Sequence, residues 1–300
     1  MHFVKAKSIL TTRPCGMNIY RGCSHGCIYC DSRSKCYQFT HDFEDIEVKQ
    51  NAPELLEEAL RKKRKRCMIG TGSMCDPYIP LEKELRLTRR CLEVIERHNF
   101  GIAIQTKSDL VLRDLDILAN INNKTKAVVQ MTLTTADDKL CKIIEPGVCP
   151  TSRRAEVLRT FADEGIPTVV WFSPLLPFIN DTRENIEGIV DYCVRARVKA
   201  IICCGIGLTL REGNREYFYA AIDRAASHDS RFVGIKENYQ KSFGYSYMVS
   251  SPHEHELMKY LEKLCNQNNI MLGTDSVFNW IEEFPKDAPL QPSLFSFPES

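Results

Sequence analysis

Short apolar runs alternate with longer stretches in which apolar residues recur every three or four positions. The runs are Cys67–Thr71, Gly101–Thr106, Ala127–Thr134, Pro167–Phe172, Ala200–Cys204 and Ile270–Leu272. Their length and composition predict buried strands. The stretches between them have helical spacing. Glu82–Arg97 keeps Leu85, Cys91, Leu92 and Ile95 on one side, and Asp109–Ile121, Ala136–Ile144, Ser152–Glu164 (stopped by Gly165) and Thr182–Arg195 read the same way. Asn214–Ala226 and His253–Asn266 are two further helices, and Met17–Tyr20 is a short strand near the start. Pro53 opens a helix through Leu60, since proline is tolerated in a first turn. Arg13-Pro14 marks a turn in the lead-in Met1–Cys15.

Strands alternating with helices imply a parallel sheet with right-handed crossovers. The predicted fold class is α/β: an open partial (β/α)6-type barrel of parallel strands, occupying residues 1–285, with a short C-terminal extension at 286–300. Functional residues then gather at the C-terminal ends of the strands. The glycine- and cysteine-rich loop after Tyr20 falls at such an end, as do Ser73, Lys107, Thr134, Ser173 and Gly205.

Composition narrows the function classes. A 300-residue chain that is 43% hydrophobic can bury a sizeable core. Its formal net charge of +1 excludes a global basic field. Six consecutive cations, Arg61–Arg66, end one helix and enter the next strand. That order puts them on the face opposite the strand C-termini, where they suit the helix dipole. No apolar run is long enough to span a membrane, and Met1–Leu10 is too weakly apolar for a secretory signal. Fourteen cysteines without such a signal argue against a disulfide framework and point to a reducing cytoplasm. Cys91, Cys193 and Cys265 fall in helical apolar patterns and read as small buried hydrophobes.

Three of the cysteines are different. Gly22-Cys23-Ser24-His25-Gly26-Cys27-Ile28-Tyr29-Cys30 places Cys23, Cys27 and Cys30 in one tight loop. Thiolates at this spacing can converge on an iron–sulfur cluster or on zinc. Three ligands leave one iron of a cluster open, whereas zinc would recruit a fourth, such as Cys15 or Cys36. Gly22 and Gly26 let the loop wrap a bulky group. Tyr29 sets an aromatic ring beside the last ligand.

The spacing and the tyrosine resemble the signature loop of radical S-adenosylmethionine (SAM) enzymes. Further stretches are similar to the spore photoproduct lyase-like branch of that superfamily: Asn18-Ile19-Tyr20-Arg21-Gly22-Cys23, Cys75-Asp76-Pro77-Tyr78, Thr106-Lys107-Ser108-Asp109-Leu110, Glu145-Pro146-Gly147 and Ser152-Arg153. The resemblance runs from about Asn18 to Pro177. It implies a four-iron, four-sulfur cluster on Cys23, Cys27 and Cys30, with SAM on the open iron. It implies that Tyr29 lies near the adenine and that Lys107 pairs with the SAM carboxylate. It also implies that the strand end Gly70, Thr71 and Gly72 receives the SAM amino group, that Ser73 belongs to the same cofactor site and that Thr132 offers a hydroxyl contact. The implied reaction is cleavage of SAM to a 5′-deoxyadenosyl radical, fed by an electron donor of flavodoxin or ferredoxin type.

The branch also implies a lyase-like DNA-repair reaction on damaged DNA. Arg153, Arg154, Lys236, Lys241, Tyr239, Tyr245 and Tyr247 are the candidate DNA contacts. Other substrates left open are RNA, a peptide or a small metabolite, and a non-catalytic iron–sulfur protein is the alternative of a different class. In the family a cysteine near the second strand end returns a hydrogen atom to the product radical; here Ser73 occupies that place. Cys75 lies two residues on and on the same side of an extended chain, which makes it the candidate catalytic residue. Cys141, Cys203 and Cys204 are rivals, and Cys141 and Cys149 are candidates for an auxiliary cluster. Finally, the proline-rich tail contains Gln291-Pro292-Ser293-Leu294-Phe295. It resembles the motif by which bacterial repair proteins dock on the sliding clamp through residues such as Gln291, Leu294 and Phe295; the alternative is that Leu294 and Phe295 fold back on the barrel.

Overall fold

Seven strands follow one another across one parallel sheet in the order of the chain: β1 (Gly16–Met17), β2 (Met68–Thr71), β3 (Gly101–Thr106), β4 (Ala127–Thr132), β5 (Thr168–Trp171), β6 (Ala200–Ile202) and β7 (Met271–Leu272). A computed structural model describes residues 1–11 and 15–285 of the chain. The Arg13-Pro14 turn and the tail, with Gln291, Leu294 and Phe295, lie outside the described residues.

Sequential order with crossovers of one hand puts the helices on one side of the sheet and leaves the other side concave. The residue alternation agrees. Ile102, Ile104, Val129, Met131, Val170 and Ile201 pack with Leu92, Leu118, Phe161, Ile189 and Leu261 of the covering helices. Their strand neighbours Met68, Ala103, Val128, Val169, Ala200 and Ile202 face inward and form a separate cluster with Val277 and Ile281. Those two belong to a helix, Thr274–Glu282, that is too short for the sequence pattern to announce. It plugs the strand N-terminal end of the concave face. Lys126, just before β4, reaches the Glu283 carbonyl at 3.1 Å and stacks on Trp280. The other end, at the strand C-termini, stays open.

Several elements differ from the sequence expectation. Met17–Tyr20 is not one strand. Gly16–Met17 joins the large sheet, while Tyr20–Arg21 crosses into a small sheet with His2–Val4 and Glu47–Lys49. The helix expected over Glu82–Arg97 breaks at Arg86, whose φ is 51°. The buried Glu82 carboxylate accepts the Thr88 N–H at 3.1 Å and so caps the second segment, Leu87–Arg97. A two-stranded antiparallel ladder, Gly207–Thr209 with Met248–Ser250, and the helices Asn214–Ala226 and Ile235–Phe243 between its strands lie between the last two large-sheet strands. No helix among the described residues is long and apolar enough to cross a membrane.

Candidate active site

The cysteine loop is held from two sides by backbone groups. Gly22 and Gly26 take φ of 86° and 69°. On one side the Cys23 N–H donates to the Phe43 carbonyl (3.2 Å). On the other, Ile28 N–H donates to the Ile144 carbonyl (3.0 Å), and Gly147 N–H to the His25 carbonyl (2.8 Å). The Glu145-Pro146-Gly147 turn is therefore a brace for the loop.

So held, the loop closes over the open end of the concave face. Cys23, Cys27, Cys30, Tyr29, Gly72, Ser73, Cys75, Lys107 and Thr132 line one cleft. Gly70 and Thr71 do not line it. They sit one step down β2, paired with Gly16 and Met17 on one side and Ala103 and Ile104 on the other. At Gly72 the requirement for glycine is strict: its φ is 94°, and a Cβ there would lie 2.2 Å from the Gln105 carbonyl oxygen.

The donor set can be tested against a metal. Among the described residues, the three loop thiols do not form a group whose sulfurs all lie within 4.8 Å of one another. A single tetrahedral zinc, with Zn–S near 2.3 Å, needs sulfurs about 3.8 Å apart. Three thiols at one cleft suit a cluster with one iron left open. The proposed fourth zinc ligands are also elsewhere: Cys15 is hydrogen-bonded to Cys67, and Cys36 is exposed. Hydrogen bonding to Cys75, against the opposing effect of burial, brings the Cys23 thiol down to about 6, so it is readily available as a thiolate.

Lys107 is the cation of the cleft. Burial would strip its proton, but the surrounding Cys27, Glu145 and Asp76 hold its pKa above the ordinary lysine value. An ammonium fixed there can pair with a carboxylate.

Asp76 ties the cleft together. It lies 3.1 Å from His25 Nε2 and accepts hydrogen bonds from Lys107 N–H (2.7 Å), Thr106 Oγ1 (2.7 Å) and Tyr78 N–H (2.8 Å). Burial would raise its pKa, but the His25 charge and these hydrogen bonds bring it down from 3.8 to about 2. The folded state therefore binds fewer protons than the unfolded chain between those values. This contribution to stability is complete above pH 4 and drains away as pH falls toward 2. Asp76→Asn is expected to cost about 2–3 kcal/mol at pH 7, because an amide NH2 must then face a donor. In acid titrations followed by circular dichroism, the wild-type protein should lose this increment below pH 4 and the variant should not.

Tyr29, Glu145 and Arg154 form a second buried network. The Tyr29 hydroxyl donates to Glu145, and Arg154 donates to Glu145 (2.5 Å), the Thr132 carbonyl (2.5 Å) and Cys141 Sγ (2.9 Å). Arg154 is fully buried, so it is not a DNA phosphate contact; it braces Tyr29 and the end of β4 instead. Tyr239 is likewise no stacking platform, since it is buried against Phe178, Phe218 and Phe243. Arg153 and Lys236 are half-buried and paired with carboxylates. Sequence reasoning gave no structural roles to His25, Asp76, Glu145 or Arg154. The signal for Glu145 and Arg154 was a carboxylate and an arginine nine residues apart, flanking a turn and the start of a helix.

The other cysteines stand away from the cleft. Cys141 is engaged by Arg154, Cys149 Sγ donates to the Lys107 carbonyl (3.4 Å), and Cys203 lies 3.6 Å from Met258 Sδ. Cys204 is exposed beside Thr274.

The model of the radical SAM superfamily matches residues 17–193, more than half of the chain and the whole cleft. The chain belongs to the radical SAM superfamily. Members use a four-iron, four-sulfur cluster and SAM. Among relatives, this radical SAM protein is 33% identical over 169 residues to an uncharacterised protein of Methanocaldococcus jannaschii, covering 56% of this chain and 62% of that one. It is 26% identical over 236 residues to an uncharacterised protein of Mycobacterium bovis, covering 75% and 67%. Its fold is similar to that of spore photoproduct lyase complexed with dinucleoside spore photoproduct, with a TM-score of 0.60 at 14% identity over 90% of this chain and 80% of that one. It is also similar to a radical SAM methyltransferase of Kitasatospora setae, with a TM-score of 0.53 at 13% identity over 87% and 54%.

Proposed function

We propose that this radical SAM protein is an enzyme acting on damaged DNA in a spore photoproduct lyase-like reaction. The observation that carries the reading is the convergence of Cys23, Cys27, Cys30, Lys107 and Cys75 on one cleft at the open end of the barrel. When bound, the reduced cluster and SAM supply a 5′-deoxyadenosyl radical that abstracts a hydrogen atom. Cys23, Cys27 and Cys30 hold the cluster. Lys107 pairs with the SAM carboxylate, Gly72 and Ser73 offer backbone to the SAM amino group, and Tyr29 and Thr132 bound the remaining space. Cys75 returns the hydrogen atom: its Sγ lies in the same cleft, beside Cys23. The electron donor is of flavodoxin or ferredoxin type.

The DNA reading draws on the fold shared with a lyase solved with a dinucleoside lesion and on the rim of the cleft. Arg211 binds Asp31, one residue past Cys30, and so holds the Gly207–Ser250 region next to the cysteine loop. Tyr245 (92% exposed) and Tyr247 (54% exposed) stand there with Arg215 and Arg211 over their rings at 5.8 and 5.7 Å. Aromatic faces interleaved with guanidinium groups suit an unstacked base and its phosphate.

Two measurements test this. Duplex DNA carrying a cross-linked thymine pair should bind at least tenfold more tightly than undamaged duplex at physiological salt, and Tyr245→Ala should weaken it by about 1–3 kcal/mol. Equal binding of both duplexes refutes the DNA reading. In Cys75→Ala, SAM cleavage should persist while the product distribution changes. An unchanged distribution removes Cys75 as the donor.

A further inference from the structure

The segment whose Phe43 carbonyl holds Cys23 also carries donors that no part of the cleft uses. We propose that His2, His41 and Asp45 form a structural zinc site. One donor atom from each lies within 4.8 Å of the others, the only such group of three among the described residues. His2 Nδ1 is 3.0 Å from Asp45 Oδ2, and the two imidazole rings meet edge to face with centroids 4.7 Å apart. Asp45 Oδ1 meets the Met1 amine at 2.8 Å, and Oδ2, bonded to His2 Nδ1 without a metal, is the oxygen that would take one.

The tautomer of His41 is the second observation. Its Nδ1 lies 2.9 Å from the Asp42 carbonyl oxygen. A carbonyl only accepts, so in neutral His41 Nδ1 carries the proton and Nε2 presents a lone pair. Nε2 is buried and has no hydrogen-bond partner. In that neutral form Nε2 and Glu47 Oε2, 4.0 Å away, are two acceptors facing each other. An imidazole that donates Nδ1–H to a carbonyl and offers Nε2 to a cation is the arrangement found at metal-bound histidines. Glu47, the register partner of His2 in the small sheet, lies beside the group of three and is not part of it.

Two imidazoles and one carboxylate suit zinc, with water able to complete the tetrahedron. Bonds near 2.0–2.1 Å put ligand atoms about 3.4 Å apart, so the half-exposed side chains must close by about 1 Å. Binding moves the His2 proton to Nε2 and frees Nδ1. The ion would staple the strand His2–Val4 to residues 41–47, the segment that holds the first cysteine of the loop.

The test uses the full chain, anaerobically reconstituted with iron and sulfide and then equilibrated with micromolar zinc. Elemental analysis should find about one zinc beside about four irons. Zinc K-edge absorption should show nitrogen and oxygen near 2.0–2.1 Å and no sulfur near 2.3 Å. His41→Ala and His2→Gln should each weaken zinc at least tenfold against a competing chelator, retain their iron, and lose the zinc-dependent rise in melting temperature seen in the wild type. A sulfur shell, no bound zinc, or zinc affinity unchanged in both variants overturns the proposal.

Discussion

Cys27→Ala is expected to lower bound iron from about four per chain to near zero and to end SAM cleavage. The same holds for Cys30→Ala. The three thiols line one cleft, and the other cysteine lining it, Cys75, stands beside Cys23. Cys23 is different, because Cys75 stands within hydrogen-bond reach of it. Cys23→Ala should therefore keep a fraction of its iron, and Cys23→Ala/Cys75→Ala should lose that fraction. Iron analysis after anaerobic reconstitution reads all four variants. Cys36→Ala, at an exposed position outside the cleft, serves as the control and should keep its full iron.

Arg154→Ala should be the most damaging change outside the cysteines. Arg154 and Glu145 are both fully buried and paired at 2.5 Å. Removing the arginine leaves a carboxylate in the interior without its counter-ion, a loss that typically costs 3–5 kcal/mol. For a chain of this size that is a fall of roughly 5–15 °C in melting temperature. The cost should reach the site too. Arg154 holds the Thr132 carbonyl at the end of β4, and Glu145 holds Tyr29 between Cys27 and Cys30. Arg154→Met/Glu145→Gln, which removes both charges, should recover much of the stability without restoring the brace. Calorimetry on the variants before iron loading separates the two effects.

The sheet and its covering helices were legible in the sequence because each strand is a short apolar run and each helix keeps its apolar residues on one side. Ile102 and Ile104 face the helices while Ala103 faces inward, as an extended chain requires. The cleft was legible because its chemistry sits in contiguous motifs at strand ends. What could not be read were contacts between distant side chains. Nothing local to Arg154 separates an arginine that meets phosphate from one that neutralises Glu145. Tyr239 and Tyr245 are six residues apart with the same chemistry, yet one is buried among rings and the other is almost fully exposed. The break at Arg86 depends on Glu82 bonding forward to Thr88, a choice made by burial and not by helix propensity. The helix Thr274–Glu282 was missed because its nine residues, with Val277, Phe278, Trp280 and Ile281 apolar, are a window too short to establish a period.

The most direct measurement mixes the anaerobically reconstituted, chemically reduced chain with SAM and separates the products by chromatography. The account predicts 5′-deoxyadenosine and methionine, formed only with reductant and absent from Cys27→Ala. A chain that holds about four irons and leaves SAM intact under these conditions would contradict it.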